Sequence, residues 1–194
     1  NSLYKEIAYQ RNKYDDEYGI PITTLHYRDN MSLDSDVYQI LFNGLKVGEF
    51  KIGPKDFLCI DSGNVKYEPD VPFVRKTKDP SYNVDAYVVE KKYRDIYEKA
   101  GYTCITASKV IAEHFGTILR KNRTKLLDQC LVNNLAEKVR KNNPDVYSDV
   151  FFNRTFSTSN LKIILNYLLE ENVSIKDMNT ILETIADYAA EEKR

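Results

Sequence analysis

The sequence predicts an α+β fold, with strands and helices mixed up to about residue 106 and helices alone beyond it. Three observations carry this. An Asn43-Gly44 dipeptide separates two strand-like runs, a strand-helix-strand stretch follows from Val84 to Ile105, and helical periodicity then continues to the C-terminus with Pro144 as its only proline.

Taken in order, Leu3, Ile7 and Tyr14 share one face of a helix over Leu3 to Glu17, and Gly19 is placed to end it. Ile20, Ile22 and Thr24 alternate before Leu25-His26-Tyr27 and predict a strand after Pro21. Val37 to Phe42 and Leu45 to Ile52 flank Asn43-Gly44, a pair suited to the type I′ turn because both its central positions need positive φ. Phe57 to Ile60 predicts a short buried strand that closes on Asp61-Ser62-Gly63. Pro69, Pro72 and Pro80 with few apolar pairs predict extended loop from Asn64 to Tyr82. Val84 to Val89 reads as a strand, Glu90 to Ala100 as a helix ended by Gly101, and Tyr102 to Ile105 as a strand. Helices are expected over Ala107 to Arg123, Lys125 to Lys141, Pro144 to Phe152, Ser159 to Glu170 and Ile175 to Ala190. Ser174-Ile175-Lys176-Asp177 approximates a capping box for the last, whose Met178, Ile181, Leu182, Ile185, Ala186 and Ala189 form a core stripe.

Composition narrows the function classes. Lys plus Arg number 28 and Asp plus Glu 29, a formal charge of −1, which argues against a general nucleic-acid binder and leaves a local basic patch open. The 42% apolar content is enough for a core, and no uncharged apolar run approaches the roughly 18 residues of a membrane helix, since Lys162 and Asn166 interrupt Leu161 to Leu169. Three cysteines, Cys59, Cys104 and Cys130, lack CxxC spacing and sit among apolar neighbours, so buried free thiols are expected, with neither disulfide framework nor zinc site. Asn1 in place of a methionine, with no signal segment, reads as the start of an excised piece.

A search for chemistry finds little. No GxGxxG or GxxxxGK[ST] loop is present, His26 and His114 lack an HExxH partner, and no metal or cofactor is expected. Pairing of Cys59 or Cys104 with either histidine as a nucleophile is formally open but weaker than the packing reading. Asp61-Ser62-Gly63 after an apolar strand is how aspartic proteases present a carboxylate, and equally a plain turn, with Asp and Ser accepting turn amides. Arg75-Lys76-Thr77-Lys78 and Arg120 to Lys125 are basic runs that, with 15 tyrosines, fit a nucleic-acid surface, though solvated helix-end cations explain them better. Sequons at Asn30, Asn122, Asn153 and Asn172 have meaning only on a secretory route.

The order of motifs nevertheless resembles one family. Glu17-Tyr18-Gly19-Ile20-Pro21, Tyr27-Arg28-Asp29-Asn30, the hairpin, Phe57 to Gly63, Asp79-Pro80-Ser81-Tyr82, Glu98-Lys99-Ala100-Gly101-Tyr102-Thr103, Val110-Ile111-Ala112-Glu113-His114-Phe115 and the run Asn172 to Asp187 together resemble the cytoplasmic domain of the type III secretion export-gate (FHIPEP) family. The flagellar branch is matched more than the injectisome branch. The resemblance implies a split first α/β subdomain at 1–57 plus 107–126, a small inserted α/β subdomain at 58–106 and a helical subdomain at 127–194, with the membrane region and a fourth cytoplasmic subdomain outside the chain.

It also implies a non-catalytic docking platform of a bacterial inner-membrane protein. Such a platform forms a nine-membered ring in the full-length protein, binds export chaperone-cargo complexes, works with the export ATPase and its stalk components, and meets the membrane only through the missing N-terminal region. The family's docking dimple is marked by an Asp, an aromatic three residues on and a Thr on the following helix. The matching positions here are Asp79, Tyr82 and Glu113. Tyr82 adds a hydroxyl and Glu113 a charge to that pattern, departures that bear on which partner is accepted. The alternative reading from another class is a single-stranded RNA or nucleotide-binding α/β module using the basic runs and tyrosines.

Overall fold

The structure is a computed structural model that describes residues 2–152 and 156–191, so the Asn153 sequon lies outside the described residues. The chain divides into two compact units, Asn1–Arg11 with Thr24–Ile118 and Asn12–Thr23 with Leu119–Arg194. Helices and small antiparallel sheets make up an α+β fold, as expected from the sequence.

The first unit takes the opening turns of α1 (Ser2–Tyr18) and a hairpin of β1 (Val37–Phe42) and β2 (Leu45–Lys51). Asn43 at φ 50° and Gly44 at φ 79° put both turn residues in the left-handed region, as a type I′ turn requires. A separate four-stranded sheet runs in the order β4 (Arg75–Lys78), β5 (Asp85–Val89), β3 (Phe57–Ile60), β6 (Thr103–Thr106), each neighbour antiparallel. Side chains alternate across it. Leu58, Ala86, Val88 and Ile105 face one core with Ile52 and Val110, against which Tyr38 and Phe50 of the hairpin pack. Cys59, Tyr87 and Val89 face a second core with Tyr97 of α2 (Arg94–Lys99), Ala100 and Tyr102. Helix α3 (Ala107–Lys121) leaves β6 directly, its first turn capped by the Thr106 hydroxyl, which accepts from Lys109 N at 3.3 Å.

Four expectations change here. Residues 20–27 form no strand, because apolar alternation reports which side chains turn inward and not whether a neighbouring strand offers a ladder. Conversely, Arg75–Lys78 does form a strand inside the expected loop: its side chains are polar throughout, so the backbone bonds to β5 create it and no hydrophobic pattern announces it. The predicted helix at 90–100 is a 3₁₀ turn, Lys91–Tyr93, followed by α2. The thiol reading also fails: Cys59 and Cys104 are disulfide-bonded, with Cα atoms 4.0 Å apart, and Cys130 is exposed. Register explains the pairing, since β3 and β6 set Cys59 directly opposite Cys104, a relation that depends on strand order and not on sequence spacing.

The second unit holds the rest of α1 with α4 (Arg123–Leu126), α5 (Gln129–Asn142), α6 (Pro144–Phe151), α7 (Thr158–Glu170) and α8 (Met178–Glu191). Leu161, Leu165 and Leu169 are fully buried at four-residue spacing and give α7 its core face. Leu127 and Asp128 break the helix expected from Lys125, and the Asp128 carboxylate caps α5 by accepting from Leu131 N at 2.7 Å. Ser157 and Asn160 form a reciprocal capping box on α7. For α8 the cap moves three residues past the expected Ser174, because Asp177 Oδ1 accepts from Thr180 N at 3.1 Å while the Ser174 hydroxyl serves Lys176 N. The stripe Met178, Ile181, Leu182 and Ile185 turns inward as expected, whereas Ala189 is exposed. Gly19, at φ 77°, ends α1 where a Cβ would stand 2.6 Å from the Lys176 backbone, and Tyr18 O accepts from Ile175 N at 3.0 Å.

Candidate functional site

Asp79 and Tyr82 belong to one tight connection between β4 and β5. Pro80 presets φ near its first corner and Asn83 takes φ 59° at its last. Two backbone bonds close it, from Asp79 N to Val84 O at 2.7 Å and from Asn83 N to Asp79 O at 2.9 Å. The Asp79 carboxylate then folds back under the turn and accepts from Tyr82 N through Oδ2 at 2.7 Å. Asp79 is only 2% exposed, and its Oδ1 and the Ser81 hydroxyl are buried atoms without a partner among the described residues. Burial pushes the Asp79 carboxyl above its ordinary value, opposed by the Tyr82 and Ser81 amides. Tyr82 is the opposite case, 69% exposed. The carboxylate is thus a buried brace, and the phenol ring is what the turn presents.

Glu113 stands on α3, its side chain 25% exposed and 3.9 Å from Lys109 Nζ one turn earlier, while its carbonyl accepts from the Thr117 hydroxyl at 3.0 Å. Its neighbour His114 is buried, and His114 Nδ1 lies 2.9 Å from the Tyr38 hydroxyl of β1. Tyr38 also feels Asp79: burial first and the Asp79 carboxylate second push its phenol well above the usual tyrosine range. Tyr38 therefore joins β1 to α3 through His114 and lies within electrostatic reach of Asp79, a role that sequence reasoning missed. In the sequence Tyr38 is one strand residue among several, and only the packing of the hairpin on the sheet brings it there.

The other candidate residues have structural uses. Asp61 Oδ1 accepts from Gly63 N at 2.9 Å, which is the turn role. Cys59 and Cys104 are bonded to one another and offer no thiolate, and His26 is exposed in an irregular segment. Arg120 pairs with Glu17 at 3.2 Å, and the Arg123 guanidinium reaches three backbone carbonyls, so two cations of the second basic run are engaged within the fold. Among the described residues no group of three or more His, Cys, Asp or Glu could hold a metal ion, and no helix is long and apolar enough to cross a membrane. Within the second unit a cavity of about 140 Å³ lies between α5 and the start of α8, lined by Lys138, Asn142, Lys176 and Met178 among others.

A mixed unit carrying a braced aromatic turn, and a helical unit with its own core, define the class: the architecture is that of type III secretion export-gate cytoplasmic domains. The chain is similar to the Chlamydia pneumoniae CdsV protein, with 27% identity and a TM-score of 0.80 over 98% of this chain and 54% of that one. A nonameric EPEC SctV-C structure, 19% identical with a TM-score of 0.70, covers 100% of this chain and 57% of that one and shares the fold. The FHIPEP family model matches residues 1–194, and the chain belongs to the FHIPEP family. It is 32% identical over 188 residues to the flagellar biosynthesis protein FlhA of Helicobacter pylori and 34% identical over 172 residues to that of Treponema pallidum, covering 96% and 89% of this chain. The chain spans about a quarter of the length of these relatives, 25% and 24%.

Proposed function

We propose that the chain is the cytoplasmic part of a type III, flagellar-type export gate and that it docks chaperone-cargo complexes at the Asp79–Tyr82 turn, with Glu113 on α3 completing the site. The exposure of Tyr82 carries this reading, since an aromatic ring held out from a braced turn is the kind of anchor that supplies most of an interface's desolvation. Glu113 adds a carboxylate, which favours a partner surface with a cation or a donor at that position. The subdomain division at 1–57 plus 107–126, 58–106 and 127–194 belongs to the same reading, as do a nine-membered ring in the full-length protein, the ATPase and its stalk as partners, and a membrane anchor outside this chain. Support for a partnered platform comes from CdsV, whose complex with the CdsO protein has been solved and whose chain in that complex is 27% identical to this one with a TM-score of 0.81.

Tyr82→Ala tests the docking claim. Binding of purified chaperone-cargo complexes, followed by titration calorimetry, should weaken by about tenfold or more, the scale of an interface hot spot, while the melting temperature stays within a few degrees. Undiminished binding, or collapse of the fold, overturns it.

A further inference from the structure

Strand β4 is the outer edge of the four-stranded sheet, and the register shows which of its backbone groups are left over. Asp79 and Val84 are a hydrogen-bonded pair, and such pairs alternate along an antiparallel ladder. Two residues back, Thr77 lies opposite Ala86, and two further, Arg75 lies opposite Val88, so these residues spend their N–H and C=O groups on β5. Lys76 and Lys78 fall between, opposite Tyr87 and Asp85, and turn theirs outward. The Lys78 carbonyl takes one long bond, 3.5 Å, from the Thr77 hydroxyl; Lys76 takes none among the described residues.

The edge is charged on one sign only. Lys78 is answered by Asp85 at 2.8 Å, and Lys76 lies over the Tyr87 ring with no carboxylate at ion-pair distance among the described residues, while Arg75 on the opposite face is engaged by the Lys51 carbonyl and the Phe50 ring. Exposed apolar side chains stand at both ends, Phe73 and Val74 before the strand and Tyr82 after it. Cations along an edge disfavour pairing with a second copy of the same strand, whose charges would be set against them. They favour an acidic strand by the same rule.

We propose that β4 is a strand-addition site for an extended acidic segment of a partner protein. The partner's main chain pairs with Lys76 and Lys78, its carboxylates meet the ammonium groups of Lys76 and Lys78 on their shared face, and an apolar side chain reaches Val74 or Tyr82. Four strand residues at roughly 3.3 Å each give room for about five partner residues. This inference stands on the sheet edge and does not require the docking reading.

The test uses the ¹⁵N-labelled chain and the capped pentapeptide acetyl-Val-Glu-Thr-Glu-Val-amide as probe. At ten times its dissociation constant the peptide should slow hydrogen exchange of the Lys76 and Lys78 amides by about tenfold and leave those of Arg75 and Thr77, already paired, unchanged. Lys76→Pro removes one outward N–H while leaving the β5 ladder intact, a substitution an edge position tolerates, and should abolish the effect. Should that variant not fold, Lys76→Glu with Lys78→Glu keeps the backbone and decides alone: it should reject the acidic probe and accept acetyl-Val-Lys-Thr-Lys-Val-amide. Protection elsewhere, binding that survives either variant in folded protein, or sedimentation showing a dimer paired through β4 overturns the proposal. Failure of the docking reading is separate, because Tyr82→Ala is scored on chaperone-cargo binding and the peptide titration on two backbone amides.

Discussion

Replacing Arg123 by methionine separates two meanings of the basic run from Arg120 to Lys125. The guanidinium donates through Nε to Leu169 O at 2.5 Å, through Nη1 to Arg120 O at 2.8 Å and through Nη2 to Glu170 O at 3.2 Å, and it lies 5.9 Å from the Tyr18 ring. Those carbonyls belong to the last turns of α7 and α3, where a helix has acceptors without internal donors. A hydrogen bond from a charged group contributes about 1.5–3 kcal/mol when well buried; here the site is half-buried and water replaces a lost donor, so about 1 kcal/mol apiece is the appropriate scale. The ring contact, at the outer limit of cation–π range, adds little, so the loss comes to about 3 kcal/mol. Methionine keeps an unbranched stem and a comparable helix propensity, so the guanidinium is what is removed. Urea unfolding followed by circular dichroism should show the transition of the helical unit lowered by about 1.5 M, taking a slope near 2 kcal/mol/M. Arg123→Lys should recover less than half, since an ammonium cannot fork across three carbonyls. A loss below about 1 kcal/mol, or full recovery by lysine, would refute the brace and return this cation to solvent, where the RNA-binding alternative needs it.

Asp79→Asn should flatten a pH dependence. A carboxyl whose value is raised by folding binds more protons folded than unfolded between about 3.8 and the raised value, so wild-type stability rises as pH falls through that window and is level above it. The wild-type melting temperature, measured against the variant, should therefore climb as pH is lowered from neutral; parallel curves would mean a solvated carboxylate. Gly101→Ala should cost about 3 kcal/mol in urea unfolding, because φ is +103° and the new Cβ would run into the Asn64 carbonyl; a cost under about 1 kcal/mol would contradict that crowding. Alkylation of the denatured chain should label Cys130 alone without reductant and all three cysteines with it, and three labels in both samples would contradict the Cys59–Cys104 pairing.

Legibility followed the range of the physics involved. Asn43-Gly44, Gly101 and Gly19 act through their own φ, so the hairpin turn and two helix stops could be read from adjacent letters. The helices after residue 106 were legible because one helix's apolar face is written within one helix. What depended on partners was not. Residues 20–27 alternate like a strand and have no ladder, Arg75–Lys78 does not alternate and has one, and Cys59 meets Cys104 only because β3 lies between β5 and β6. The candidate site divides the same way. Asp79 and Tyr82 are singled out in the sequence only by the resemblance, within a stretch that reads as extended loop, whereas one being buried and the other exposed is a property of the closed turn.

That division has a physical logic. An anchor ring is useful to a partner only if its own fold does not absorb it, and a ring on a loose loop would lose part of its binding free energy to ordering. The β4–β5 turn meets both conditions by pinning the Tyr82 backbone from beneath through the Asp79 carboxylate while leaving the ring exposed. The cost is a carboxylate held out of water with one oxygen unpaired, tolerable because Tyr82 and Ser81 amides oppose the desolvation. Tyr38 extends the arrangement, since its hydroxyl is held by His114 on α3 while its ionisation is opposed by Asp79. Tyr38 thus touches the helix that carries Glu113 and is within electrostatic reach of the presenting turn, so Tyr38→Phe, which removes the hydroxyl bonded to His114, bears on both halves of the proposed docking site.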